Sequence, residues 1–359
     1  MSHTLWWVSG KTEEDTVGKS PLLEWPGAVE AAWPDEGVAW HYGEPMREQR
    51  AAQESAAVVD RSTRGVLRIT GADRLTWLHS LTTQQLDKLP AGTSAQALIL
   101  SPNGHVEHHL TLTDDGTATW LHTEPGTAPS LVEFLESMRF MMRVEVADVS
   151  ADYAVLTVLG PRAGDLAEGL EGVAARLELS SFGAIDLVVA RDLLAATAGD
   201  LVRRGAVGAG MWAFEALRIA AHVPRLGLDT DHRTIPHEVG WIDTAVHLNK
   251  GCYRGQETVA RVHNLGHPPR RMVFLNLDGS ADRLPEHGDS VEANGVKVGF
   301  VGSAARHYEL GPIGLALVKR TVPVDAPLEA GAVAAAQEVI VPPDAGANVQ
   351  VTLRRRQLR

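Results

Sequence analysis

The chain holds one cysteine, Cys252, in 359 residues. An intrachain disulfide is therefore excluded, and no CxxC or Cys/His cluster offers a zinc site or a self-held iron–sulfur cluster. An intermolecular bond, or a single ligand given to a shared cluster, stays open. Basic residues are also scarce: 33 Lys and Arg stand against 45 Asp and Glu, a formal net charge of −12. That balance argues against non-specific nucleic-acid binding, and no direct nucleic-acid partner is expected. No apolar run approaches a membrane span, and the N-terminus lacks the basic-then-apolar pattern of a signal peptide. The protein is expected to be cytoplasmic. GxSxG, a Walker motif and GxGxxG after a strand are all missing, which disfavours hydrolase, nucleotidase and dinucleotide-oxidoreductase chemistry.

What is present is ordinary for a globular protein: 44% hydrophobic and 22% charged residues, with length for two or three domains. Residues 1–40 read as an irregular N-terminal arm. In it Trp6, Trp7, Trp25, Trp33 and Trp40 alternate with Pro, Gly and acids and are expected to fill grooves on the body. Met46–Ala57 predicts a helix, Val66–Thr70 a strand, and Ala72–Ser80 a second helix. Strand–glycine–helix returns at Tyr153–Leu159, Gly160 and Arg162–Leu170, suggesting two related α/β halves. Ala97–Leu100 and His105–Thr113 flank the turn Ser101–Gly104 as a hairpin. Pro129–Arg143 predicts a helix with Leu131, Leu135, Met138 and Met142 on a core stripe, and Trp212–His222 another. After Pro268 and Pro269 come short strands, with Asn294-Gly295 as a hairpin turn and a last strand over Val349–Leu353. These predict a C-terminal β-barrel over 270–359, with 326–348 a long surface connection.

Cys252 lies between Lys250 and Arg254, with Gly251 and Gly255 around it and a helix expected from Gln256. Nearby cations and a helix N-terminus favour thiolate, so the residue reads either as an activated thiol or as part of a structural turn. The run Lys250-Gly251-Cys252-Tyr253-Arg254-Gly255-Gln256-Glu257, followed by TVARVHNLG, resembles the signature of the YgfZ family of folate-binding proteins. These are relatives of the glycine-cleavage T-protein (aminomethyltransferase) that act in iron–sulfur protein maturation. The resemblance extends from about Tyr42 to the end of the chain. It implies an α+β fold: two related α/β subdomains over 41–267 with a pseudo-twofold relation, plus the barrel, around a central folate cavity. The implied cofactor is tetrahydrofolate or a related reduced folate. The implied partners are iron–sulfur client proteins or assembly factors, with an indirect effect on tRNA modification. The alternative is a tetrahydrofolate-dependent aminomethyl or one-carbon transferase.

The resemblance assigns Cys252 as the candidate reactive thiol near the mouth of the cavity. It matches WAFEALRIAA to the family's EALR segment, so Glu215 and Arg218, one helical turn apart, become candidate folate contacts. Read without it, the pair is an intrahelical salt bridge. Trp212 or Phe214 could stack on the pterin, and Asn103 and Glu238 complete the expected set. Two departures stand out. The T-protein strand that carries an Asp at the reaction centre has His108 and His109 here, and its Gly/Tyr-rich acidic loop has no counterpart near Arg191–Leu193. Whether the chain catalyses any transfer therefore stays open. His105, Glu107 and His109 share one face of the expected strand and invite a metal reading, but residues two apart on one strand rarely converge on an ion, and no metal is expected.

Overall fold

A computed structural model describes residues 18–178 and 182–348. Trp6, Trp7 and the expected strand at 349–353 lie outside the described residues. Among the described residues, two five-stranded sheets, a closed six-stranded barrel and a two-stranded pair make up the β-structure.

The first half runs strand Gly65–Thr70, helix Arg74–Leu81, strands Ser94–Leu100, Val106–Asp114 and Ala118–Thr123, helix Ala128–Ser137 and strand Glu145–Asp148. The second runs strand Tyr153–Leu159, helix Ala163–Leu166, strands Val173–Glu178 and Ala184–Ala190, helix Leu194–Arg203 and strand Val207–Ala209. Without the edge strand Ser94–Leu100, the first sheet orders its strands as the second does, except that Ala57–Asp60 is inserted beside Tyr153–Leu159. The chain thus gives the second sheet a strand before it builds the first. The repeat is marked by Gly71 and Gly160, at φ 109° and 107°. A Cβ at either would meet a backbone carbonyl, that of Arg143 at 2.0 Å or of Ala52 at 2.5 Å, so only glycine fits.

Each half buries its own core: Leu67, Ile69, Leu110 and Leu131 in the first, Leu156, Val158, Leu187 and Leu201 in the second. Val66, Trp120, Val155, Leu177 and Val188 join the sheets face to face. In the barrel, Val273 and Leu275 point inward while Met272 and Phe274 point outward, as strand alternation requires. That outer face packs on Ile219 of the helix Met211–Ala220, on Trp241, and on Leu98 and Leu100 of the hairpin. Asn294 and Gly295, at φ 52° and 73°, make the expected tight turn between Ser290–Ala293 and Val296–His307.

Several sequence expectations are corrected. The stretch 326–348 is not a surface connection throughout. Leu328–Ala330 and Val333–Val339 close the barrel, with Leu328, Ala330, Val333 and Ala335 inside it. Their Ala/Gly-rich composition hides a period-two pattern of small inward residues. The helix expected over 129–143 stops at Ser137, because Met138–Val144 must turn back to the edge of the first sheet. Phe140 and Met141 are therefore exposed, and Met142 is no core residue. The helix expected over 162–170 is a single turn, Ala163–Leu166. The arm carries a 3-10 turn, Pro21–Glu24, and the strand pair Val29–Glu30 with Ala39–His41, so its described part is not wholly irregular. Trp25 lies against Tyr42 and Trp40 stacks on Trp212, whereas Trp33 is half exposed.

Candidate functional site

Between the sheets lies a cleft with a cavity volume of about 90 Å³. The first sheet and the turn leading into it supply Arg61, Arg64, Gln96, His109, Thr111, His122 and Glu124. The second supplies Leu177, Ala184 and Asp186, with Phe182 just ahead of it. Phe214, Arg218 and Val223–Arg225 form the floor. The barrel contributes no lining residue. It reaches the site from behind, where Ser303 Oγ accepts from Arg218 at 2.6 Å and donates to Asp229 at 2.6 Å.

Charge fills this interior. Arg225 donates to Asp35 (2.8 and 3.0 Å), Glu124 (2.8 and 3.0 Å) and Glu215 (2.8 Å). Arg218 forks onto Glu215 and reaches Asp229 at 2.8 Å. Burial pushes the Glu215 carboxyl up, but Arg218 and Arg225 more than offset it and hold it at about 2. Glu124 is buried and Asp186 partly so, and their cations hold both far below the usual carboxylate range. Arg64 Nε donates to His122 Nδ1 at 2.8 Å, so His122 Nε2–H donates to Asp186 Oδ2 at 2.9 Å and the ring is neutral. Burial and Arg64 hold this imidazole at about 4. Burial does the same to His109, whose Nε2 meets Gln96 Oε1 at 3.1 Å and whose ring stacks on Trp241 at 4.6 Å.

Of the residues expected to hold folate, Phe214 and Arg218 line the cavity. Glu215 stands directly behind them, its oxygens taken by Arg218 and Arg225. The intrahelical ion pair is thus real, but it belongs to a network joining three parts of the chain. Trp212, Asn103 and Glu238 lie outside the lining. Trp212 donates to the Arg306 carbonyl and stacks on Trp40, because its place on the helix turns it toward the arm and barrel. Asn103 is exposed in the hairpin turn. Glu238 is fully buried, accepts from the Ile235 N–H and pairs with Arg270, fixing the barrel's first strand. Asp231 pairs with the same arginine. His105, Glu107 and His109 do not converge: Glu107 pairs with Arg254 at 2.8 Å while His109 faces the cavity.

The signature lies outside this lining as well. Lys250 is folded inward, its ammonium taken by the carbonyls of His79, Thr82 and, at 3.0 Å, Gln84, beyond the C-terminal turn of the helix Arg74–Leu81. Burial lowers that amine to about 8. Arg254 leaves toward Glu107 and the Phe134 ring. Both flanking cations thus have partners other than Cys252. Tyr253 is buried beside Trp241, and Gln256 Nε2 donates to the carbonyls of Lys250 and Gly251 at 3.4 Å. Gly255, at φ 80°, caps the helix Gln256–Leu265, and a Cβ there would sit 2.6 Å from the Ser101 carbonyl. Glu257 is exposed in that helix's first turn, and Cys252 and Gly251 are exposed beside it. The motif clamps the hairpin turn and presents its thiol outward. It connects to the cavity through the Tyr253–Trp241 core and the Trp241–His109 stack.

Sequence reasoning missed Arg61, Arg64, His122, Glu124, Asp186 and Arg225. The available signal was a charge or imidazole interrupting an apolar strand, as in TWLHT and AIDLVV, since buried ionisable groups need partners.

Comparison with known proteins agrees with this architecture. Residues 37–191 match the GCVT N-terminal domain, and residues 270–357 match the glycine cleavage T-protein C-terminal barrel domain. A putative chloroplastic transferase of Arabidopsis thaliana (At1g60990) is 26% identical, covering 78% of this chain and 70% of that protein. An aminomethyltransferase of Synechococcus sp. (strain CC9902) is 27% identical, covering 76% and 82%. The crystal structure of the glycine cleavage system aminomethyltransferase T from Bartonella henselae superposes with a TM-score of 0.76 over 92% of this chain and 98% of that one. At 18% identity it speaks for the fold alone. Two related α/β halves, a closed terminal barrel and both domain matches together place the chain in the GcvT-like family, the family of the glycine cleavage T-protein.

Proposed function

We propose that the chain binds tetrahydrofolate, or a related reduced folate, in the central cleft and acts there as a folate-dependent one-carbon transferase. The observation that carries this reading is the cleft itself, lying between the two related sheets in a GcvT-like chain. Its residues suit a pterin. Phe182 and Phe214 give an aromatic wall, and Gln96, His109 and Thr111 give a hydrogen-bonding edge opposite. A reduced folate supplies a nitrogen pair that accepts or donates a one-carbon unit. The chain's own part is to hold the ring, exclude water and keep His109 neutral as a hydrogen-bonding group. The lining carboxylates Glu124 and Asp186 are both committed to arginines, so neither offers a free base. Anaerobic calorimetry with tetrahydrofolate tests the binding. Saturable one-to-one association is expected, and its absence at millimolar ligand overturns the reading. Formation of methylene-tetrahydrofolate from an aminomethylated donor protein tests the transfer.

A second reading rests on Cys252. An exposed thiol on a loop clamped by Lys250, Gly255 and Gln256 suits transient contact with another protein. It favours a YgfZ-type accessory role in iron–sulfur cluster assembly or repair, acting on client enzymes in the cytoplasm and touching tRNA modification only through them. Folate binding without turnover, together with loss of client activity in cells carrying Cys252→Ser, would select this role. Full client activity in those cells removes it.

A further inference from the structure

The cavity contains an unused recognition element. Arg61 and Arg64 come from the turn after Ala57–Asp60, and both are more than nine-tenths buried. Arg61 gives Nη1 to Thr157 and Asp186, each at 3.2 Å, and its guanidinium lies over the Phe214 ring at 4.0 Å. Among the described residues its Nε and Nη2 meet no acceptor. Arg64 gives Nε to His122 and Nη1 to Glu124, and its Nη2 meets none. None of these three nitrogens is among the sealed, partnerless atoms of the described residues, and both side chains line the cavity. Arg218 and Arg225, the other arginines there, use every nitrogen on protein acceptors.

We propose that the Arg61–Arg64 corner is a carboxylate subsite that takes the carboxylate end of a small aliphatic substrate. This deepens the transferase reading and rests on it for calling the cavity a substrate site. Size agrees: about 90 Å³ matches roughly three water volumes at ~30 Å³ each, enough for a carboxylate and a short stem. Leu177, Phe182 and Ala184 provide an apolar wall for that stem. Planar guanidinium donors match the two oxygens of a carboxylate. A phosphate would turn its additional charged oxygens toward Glu124 and Asp186. Those two acids are ionised and already paired with Arg61, Arg64 and Arg225, so an anion here is recognised by the guanidinium N–H donors and not by net charge. Arg61 itself is short of negative charge: burial and the neighbouring Arg64 lower it to about 10.

The test uses the full chain and two probes of equal shape, propionate and its uncharged isostere propionamide, followed by ligand-observed NMR. Propionate should bind at least about tenfold more tightly than the amide, and Arg64→Gln should lose at least about tenfold of that affinity. Equal binding of the two probes, or no binding of either, overturns the subsite. That comparison needs only the wild-type chain, so it stands even if Arg64→Gln fails to fold. Tetrahydrofolate titrated separately distinguishes the failures. Propionate selectivity without folate binding sinks the folate reading alone, whereas folate binding without propionate selectivity sinks the subsite alone.

Discussion

Two regions of this molecule treat charge in opposite ways. In the central cavity, Arg61, Arg64, Arg218 and Arg225 are buried with Glu124, Glu215, Asp229 and the partly buried Asp186, and the pairs link both sheets, the helix Met211–Ala220 and the barrel. Along 250–257, Lys250 and Arg254 instead fasten a surface loop to the hairpin side of the first half and leave Cys252 in solvent. The cavity residues come from positions as far apart as 61 and 225, while the loop is contiguous. The comparison teaches that the most conspicuous stretch of sequence is a clamp with an exposed tip. The chemistry of recognition is assembled from isolated residues that no local pattern unites.

Breaking the cavity network should have the largest effect. Arg225→Met strips Asp35, Glu124 and Glu215 of a shared cation inside the protein, and a loss of about 3–5 kcal/mol is expected by chemical denaturation. A loss near that of a surface pair would show the cluster to be hydrated and the contrast with the loop to be false.

The loop's clamp should rank next. Lys250→Met leaves three carbonyls without their ammonium donor and should remove about 3 kcal/mol. Gly255→Ala forces a side chain into a left-handed backbone and against the Ser101 carbonyl, for about 2 kcal/mol. Midpoints in urea check both.

Acid sharpens the comparison from the cavity side. His109 and His122, together with His108 and His237, have folded values lowered to about 4, chiefly by burial. The unfolded chain therefore binds more protons than the folded one below the ordinary histidine value of about 6.5. Their contribution is complete above that value and is lost as pH falls toward 4. Glu215, held at about 2, adds a contribution that is complete above its ordinary value of about 4.5 and is lost as pH falls from there toward 2. His237→Phe should flatten the slope, since both its ring nitrogens are buried without a partner. A urea midpoint that stays constant from pH 7.5 to 4.5 would contradict the neutral-histidine interior.

The smallest effect belongs to Cys252→Ser. An exposed side chain with no hydrogen-bond partner should shift stability by less than about 0.5 kcal/mol. A larger loss in denaturation would make the cysteine part of the clamp.

The sequence by itself determined many of the local elements and the likeness to the T-protein. Paired strand–glycine–helix units at 66–80 and 153–166 announced two related halves, because only glycine tolerates φ near 108° where another segment's carbonyl closes in. Alternation after residue 270 announced a barrel. Tertiary structure alone decided which sheet receives Ala57–Asp60, that Leu328–Val339 closes the barrel, and that Phe140 and Met141 stay outside. Each depends on long-range pairing, which leaves no mark in a local window. It also decided the site. Lys250 was read as a neighbour of Cys252, yet its four-carbon stem carries the charge to carbonyls some 170 positions earlier in the chain. Arg61 and Arg225 are unremarkable where they stand in sequence, and His122 and Asp186 show only as polar interruptions of apolar strands. They become a site because the two sheets pack face to face, and buried charges are stable only where such packing brings their partners within hydrogen-bond reach.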